Sequence, residues 1–256
     1  MSKYFSLKGK LLVSILSLVF VFGGVLYFQF HRALDVQREQ VREKFQGYSQ
    51  KLESNVTRNF FYFYHNVQAI AKNESLRTKD FDSNNFLFNE LVSLYPVYDF
   101  ILLTDPEGNY IASNSYSPEG EKLQVESIKD ANFKGEKWFD KVQEGTLTEN
   151  YDKNIFGSRF GDITNSKIGD DLYGSEKYGF YVSTKVTSEY GETLAVLTTF
   201  VSNSWLKDEL TSLQQELAGQ DMVNSEISLI GGEDEILISN VDGYKAGSKI
   251  GQETLN

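Results

Sequence analysis

Residues 101–114 read ILLTDPEGNYIASN, and residues 227–240 read ISLIGGEDEILISN. At one constant offset of 126 residues, Ile101, Leu103, Glu107, Ser113 and Asn114 fall on Ile227, Leu229, Glu233, Ser239 and Asn240. Each copy is an apolar branched run, an acidic turn containing glycine, and a second apolar run, the pattern of a strand-turn-strand unit used twice. In the first copy Asp105-Pro106-Glu107-Gly108 sets proline and glycine where a type I turn takes them. A hairpin cannot bury its own apolar face, so each copy is expected to open a small antiparallel sheet packed on helices. Only 16 residues follow Asn240. The second module is therefore expected to be incomplete in this sequence, as a fragment or as a natural truncation.

Working outward from the first copy, the sequence predicts a strand at Tyr98–Thr104 and its return at Tyr110–Ser113. A short helix carries Trp138, Phe139 and Val142 between Gly135 and Gly145. Two more strands, Gly179–Thr187 and Thr193–Val201, meet through the turn at 189–192. Asn150 to Tyr178 is rich in Gly, Asp, Asn and Ser and reads as one long loop, a length typical of lids and binding loops. A helix from about Asn84 to Tyr95 is stopped by Pro96, and another carries Leu206, Leu210, Leu213 and Leu217, with Gly219 at its end.

Upstream, Leu11 to Phe28 is apolar and free of charge, which with Gln29 and Phe30 gives the roughly 20 residues that cross a bilayer as a helix. Lys3, Lys8 and Lys10 precede it, so residues 1–10 are expected in the cytoplasm and everything after residue 30 outside. A cleaved signal peptide has an apolar core of about 7 to 15 residues and a small-residue cleavage site. This run is longer and ends Val25-Leu26-Tyr27-Phe28, which favours a retained anchor. From residue 31 the apolar spacing turns periodic: Leu34, Val41, Phe45, Tyr48, Leu52, Val56, Phe60, Phe63, Val67 and Ile70 form one stripe, with Asp35, Arg38, Glu39, Arg42 and Lys51 between them. A helix of that length needs a partner for its stripe, its own domain or a second copy in a homodimer. The aromatic run Phe60 to Tyr64 is read as core.

The net charge of −11 argues against nucleic acid as a partner, and the absence of cysteine fits an envelope domain held by its apolar core. His31 and His65 lie far apart on one helix with no cysteine or paired-carboxylate company, so neither reads as a metal ligand or a base. Gly231-Gly232-Glu233-Asp234-Glu235 resembles the Gly-Gly-Asp-Glu-Phe signature of cyclases, but it aligns with the hairpin repeat and no catalytic domain fits in the residues that follow. No phosphate loop or nucleophile motif occurs. The sequence reads as neither an enzyme nor a cofactor protein.

The order of these parts resembles the double Cache sensor domain of bacterial chemoreceptors, sensor kinases and cyclases. Its sharpest stretches are Phe100 to Ser113, Lys137 to Val142, and Gly179 to Val186 with Gly191 downstream. The resemblance implies an α+β fold: a transmembrane helix at 11–30, a long signalling and dimerisation helix with a second helix at 31–96, a membrane-distal Cache module at 97–201, a connecting helix at 202–220, and the start of a membrane-proximal module at 221–256. It also implies an inner-membrane receptor with a periplasmic or extracellular ligand site, a chemoreceptor first and the sensor region of a kinase or diguanylate cyclase second. An anchored adhesion or assembly protein without signalling is the alternative of another class. Amino-acid-binding members carry Arg-x-Trp-Tyr and a late Asp. Here Trp138 is kept, Phe139 stands for the Tyr and Glu136 for the Arg, and Ala195 to Phe200 has no charge. The expected ligand is therefore a small polar or anionic solute, not an ordinary amino acid. The expected contacts are Trp138 and Phe139 as an apolar wall, Tyr181, Ser183 and Lys185 alternating on one strand face, and Tyr151 and Asp152 at the mouth of the long loop.

Overall fold

The computed structural model describes residues 7–77, 81–150, 154–220, 222–230 and 236–239. Packing divides the chain into two units, one ending at Ser54 and one beginning at Asn55. The first is the greater part of helix α1 (Leu7–Ala71). The sequence reads as a spanning helix followed by an amphipathic one, and the backbone runs through both without a break, as a stretch lacking proline allows. An eighteen-residue window of α1 has a mean hydropathy of 2.5 and is wholly exposed. Val36, Val41 and Phe45 further along are exposed too.

The second unit is built on a seven-stranded antiparallel sheet: β1 (Tyr98–Thr104), β2 (Tyr110–Ser113), β3 (Thr148–Asn150), β4 (Ile155–Phe160), β5 (Thr164–Asn165), β6 (Tyr178–Thr187) and β7 (Thr193–Ser202). The strand order is β2-β1-β7-β6-β4-β3, with β5 also on β6. Because side chains alternate along a strand, the central strands send residues to two separate cores. One face carries Ile101, Leu103, Phe180, Val182 and Leu197 against Phe63, Val67 and Ile70 at the end of α1 and Phe88 and Val92 of α2 (Phe81–Leu94). The other carries Phe100, Leu102, Tyr181, Val196 and Phe200 against Trp138, Phe139 and Val142 of α3 (Lys137–Gln143) and Ile168 and Leu172 of α4 (Lys167–Tyr173).

The stretch that reads as a long loop, 150–178, holds β4, β5 and α4. Gly157, at φ 85°, and Arg159 break the apolar alternation of β4. Helix α4 is two turns long, capped by the Ser166 side chain and ended by Gly174 at φ 69°, so its polar residues are caps and not loop.

The repeat is reproduced in register. Leu102, Leu103 and Thr104 of β1 pair with Ser113, Ala112 and Tyr110 of β2, with an irregularity after Leu103. Ser228, Leu229 and Ile230 of β8 (Ser228–Ile230) pair with Ser239, Ile238 and Ile236 of β9 (Ile236–Ser239), with an irregularity after Leu229. Adding 126 to every residue of the first ladder gives the second. The closing Asn114 of the first copy is fully buried; the backbone N–H of Ile101 donates to its Oδ1 at 2.8 Å, which ties the start of the unit to its end. The turn at 231–235, with the cyclase-like letters, lies outside the described residues. Helix α5 (Ser204–Ala218) buries Leu206, Leu210, Leu213 and Leu217.

At Gly179 an added Cβ would stand 2.0 Å from the Val201 carbonyl oxygen and 2.9 Å from the Phe200 ring. Backbone cannot yield as a flexible side chain can, so Gly179→Ala is expected to destabilise the domain by about 1–3 kcal/mol or to stop it folding. Chemical denaturation of parent and variant measures this, and an unchanged midpoint would contradict the β6–β7 packing described.

Candidate ligand-binding site

Between α3, the segment around β5 and the sheet face bearing Tyr181 lies a cavity of about 310 Å³. Its apolar wall is Trp138, Tyr181 and Ile163. The Trp138 and Tyr181 rings stack at 5.8 Å and 19°, an offset arrangement that aromatic quadrupoles favour. Tyr181 is fixed at its far end: its hydroxyl and Ser166 Oγ are 2.6 Å apart, and Ser166 Oγ also accepts from the Gly169 N–H. Burial pushes the Tyr181 phenol well above its ordinary range, so it stays neutral. The buried indole N–H of Trp138 meets no acceptor among the described residues.

The charged rim contains Glu136, Lys137, Arg159, Asp162 and Lys167. Lys137 Nζ donates to Asp162 Oδ2 at 2.8 Å, and this bond holds the Asp162 carboxyl below its usual range. Lys167 Nζ donates to Asp171 Oδ2 at 2.7 Å, which raises the lysine. Both pairs are exposed, so they are worth little stability but fix where the charges sit.

Of the residues that the sequence nominates, Trp138 and Tyr181 line this cavity. Phe139, one position on along α3, is buried in the core and borders a separate surface depression beside Pro106 and Gln143. Ser183 and Lys185 follow Tyr181 on the same strand face, but each is engaged elsewhere. Ser183 Oγ lies 2.6 Å from Thr198 Oγ1, and Lys185 Nζ donates to the Gln143 carbonyl at 3.1 Å, at the end of α3. Tyr151 and Asp152 lie outside the described residues. Arg159 is one of the lining residues that sequence reasoning missed, with Lys137, Asp162, Ile163 and Lys167. In β4 it sits opposite Ser183, which puts it on the Tyr181 face, and reading 150–178 as a loop hid that parity.

No family model matches the sequence, and no curated protein does. Solved structures do match. The sensor domain of the histidine kinase DctB from V. cholerae is 14% identical, with a TM-score of 0.50 over 79% of this chain and 68% of that one. The extracellular ligand binding receptor from Desulfohalobium retbaense is 13% identical, with a TM-score of 0.54 over 78% of this chain and 32% of that one. The extracellular domain assigned to a histidine kinase, rpHK1S-Z16, is 11% identical, with a TM-score of 0.52 over 78% and 70%. The chain thus spans about a third of the Desulfohalobium protein. At these identities the likeness is one of fold, and the fold is the mixed α+β, PAS-like one of Cache sensor domains.

The Tyr181–Ser166 bond sets an expectation for stability. Ser166→Ala removes both a helix cap and the phenol's partner, and should cost about 1–3 kcal/mol. Tyr181→Phe removes only the bond and should cost about 0.5–1.5 kcal/mol. The double variant should be no less stable than Ser166→Ala alone, because no hydroxyl is then left buried and unpaired. Urea unfolding of the four proteins closes this cycle, and strict additivity would speak against the bond.

Proposed function

We propose that this chain, with the fold of a Cache sensor domain, is the extracytoplasmic sensing region of a membrane-anchored receptor. A small solute occupies the cavity beside Trp138 and Tyr181, and the response leaves through helix α1. The observation that carries this reading is the cavity itself, walled by a fixed aromatic pair and rimmed by charge, in a sheet whose opposite face is packed on α1. The exposed apolar window of the same helix supports insertion in the inner membrane with the domain outside.

The route from site to helix runs through β4. Arg159 of this strand lines the cavity, while its other residues hold α1. The Tyr64 hydroxyl bonds to both the N–H and the carbonyl of Phe156, and Gln68 Nε2 donates to Ser158 Oγ at 2.6 Å. A ligand that draws β4 toward α3 therefore pulls on two side chains of α1. Chemoreceptor output is the first reading for the far side of the membrane. A histidine kinase is the second, and the origin of two of the three solved structures described above supports it.

Two measurements test the proposal. A periplasmic-activity reporter fused after Asn256 should be active and a cytoplasmic one silent; the reverse would end any case for sensing external solutes. Single cysteines placed from residue 34 to residue 52, in a chain that has none of its own, should crosslink between two copies with a helical period if α1 pairs in a homodimer. A flat profile would favour the anchored adhesion protein, which needs no paired helix to carry a signal.

A further inference from the structure

We infer that Arg159 is the ligand's anchor and that the ligand is a small organic monocarboxylate. This rests on the sensor reading and assigns the chemistry of the same cavity. Five charged side chains surround it, and two of the three cations are committed, Lys137 to Asp162 and Lys167 to Asp171. Among the described residues no hydrogen bond or ion pair engages the Arg159 guanidinium. It stands half-buried on the sheet, one strand away from Ser183 and on the Tyr181 face. A planar fork of donors in that position matches a carboxylate, which it holds through two parallel bonds.

The rest of the lining narrows the class. With Lys137 matched by Asp162 and Lys167 by Asp171, Glu136 is the remaining carboxylate of the rim and Arg159 its remaining cation, so a second negative charge on the ligand finds no uncommitted cation and meets Glu136. That disfavours dicarboxylates and phosphate esters. In the same lining, Trp138, Tyr181 and Ile163 offer an apolar surface, so the body of the ligand is aliphatic or aromatic. The volume of about 310 Å³ is at the small end for ligand pockets, which sets the size. The unpaired indole N–H of Trp138 supplies a further donor in the same wall, in keeping with an oxygen-bearing ligand.

The test uses the full chain in lipid nanodiscs, with butyrate and benzoate as probes, benzamide as the uncharged counterpart of benzoate, and succinate and inorganic phosphate as dianions. Thermal melting and tryptophan fluorescence read binding. Butyrate or benzoate should raise the melting midpoint more than benzamide, succinate or phosphate. Arg159→Gln should weaken that binding by about tenfold or more while its unliganded midpoint stays at the parent value. Arg159→Lys should keep part of the affinity, and Lys185→Ala should bind like the parent. The inference is overturned if Arg159→Gln responds like the parent, if the dianions bind better than the monocarboxylates, or if no monocarboxylate binds. A neutral or cationic solute that stabilises the parent but not Trp138→Ala would sink the monocarboxylate assignment and leave the sensor reading standing. A flat response to every solute, together with a flat crosslinking profile, would remove both.

Discussion

The pairing of β6 with β7 is the constraint on which the rest of this domain depends. It runs from Gly179 opposite Ser202 to Thr187 opposite Thr193; β1, β4 and β5 extend the sheet from its two edges, and the end of α1 with α2 packs on one face and α3 with α4 on the other. Alternation along β6 does the sorting: Phe180 and Val182 face α2 and the end of α1, while Tyr181 and Ser183 point to the α3 side. A slip of one residue would exchange the two sets. Gly179 guards the start of the ladder, since the approach of Val201 and Phe200 there leaves no room for a side chain.

How much of this the sequence discloses depends on how local the signal is. The hairpin repeat is local, and its two copies keep one register through the irregularity after Leu103 and Leu229. The shared face of Tyr181, Ser183 and Lys185 follows from parity alone. What those side chains do on that face does not, because it is decided by neighbours distant in sequence: Thr198 takes up Ser183, and the Gln143 carbonyl takes up Lys185. The segment 150–178 fails for another reason. Its elements are two to seven residues long and punctuated by Gly157, Gly161 and Gly174, so polar caps outnumber periodic positions and the composition is that of a loop.

That loss bears directly on the site. With β4 unseen, the cation nearest to hand on the strand face is Lys185. With β4 in place Lys185 serves as a clamp on the end of α3, and Arg159 is the lining cation that no hydrogen bond or ion pair engages among the described residues. Glu136, standing where the amino-acid-binding pattern has arginine, keeps its place at the mouth. The polarity of the pocket is thereby shifted from the helix to the sheet. A ligand anchored on β4 is anchored on a strand of the sheet itself, whereas one anchored on α3 would bind to a helix that covers it.

On the proposed reading, this placement ties recognition to transmission. A ligand shifts a conformational equilibrium only by the difference in its interaction with the two states. Contacts made by α3 alone would act on α1 through the whole thickness of the sheet, across which the packing is tight. Contacts made by Arg159 act on the strand that Tyr64 and Gln68 already grip from the opposite side. Ser158 and Arg159 are adjacent in sequence and point to opposite faces, so a displacement of β4 by a ligand is felt at the Gln68 amide within one residue. Gly157, left-handed beside this contact, lets the strand turn its carbonyl to Thr184 Oγ1 at 2.7 Å while Gln68 packs over it. The pocket side and the helix side of the sheet are thus joined at one short strand.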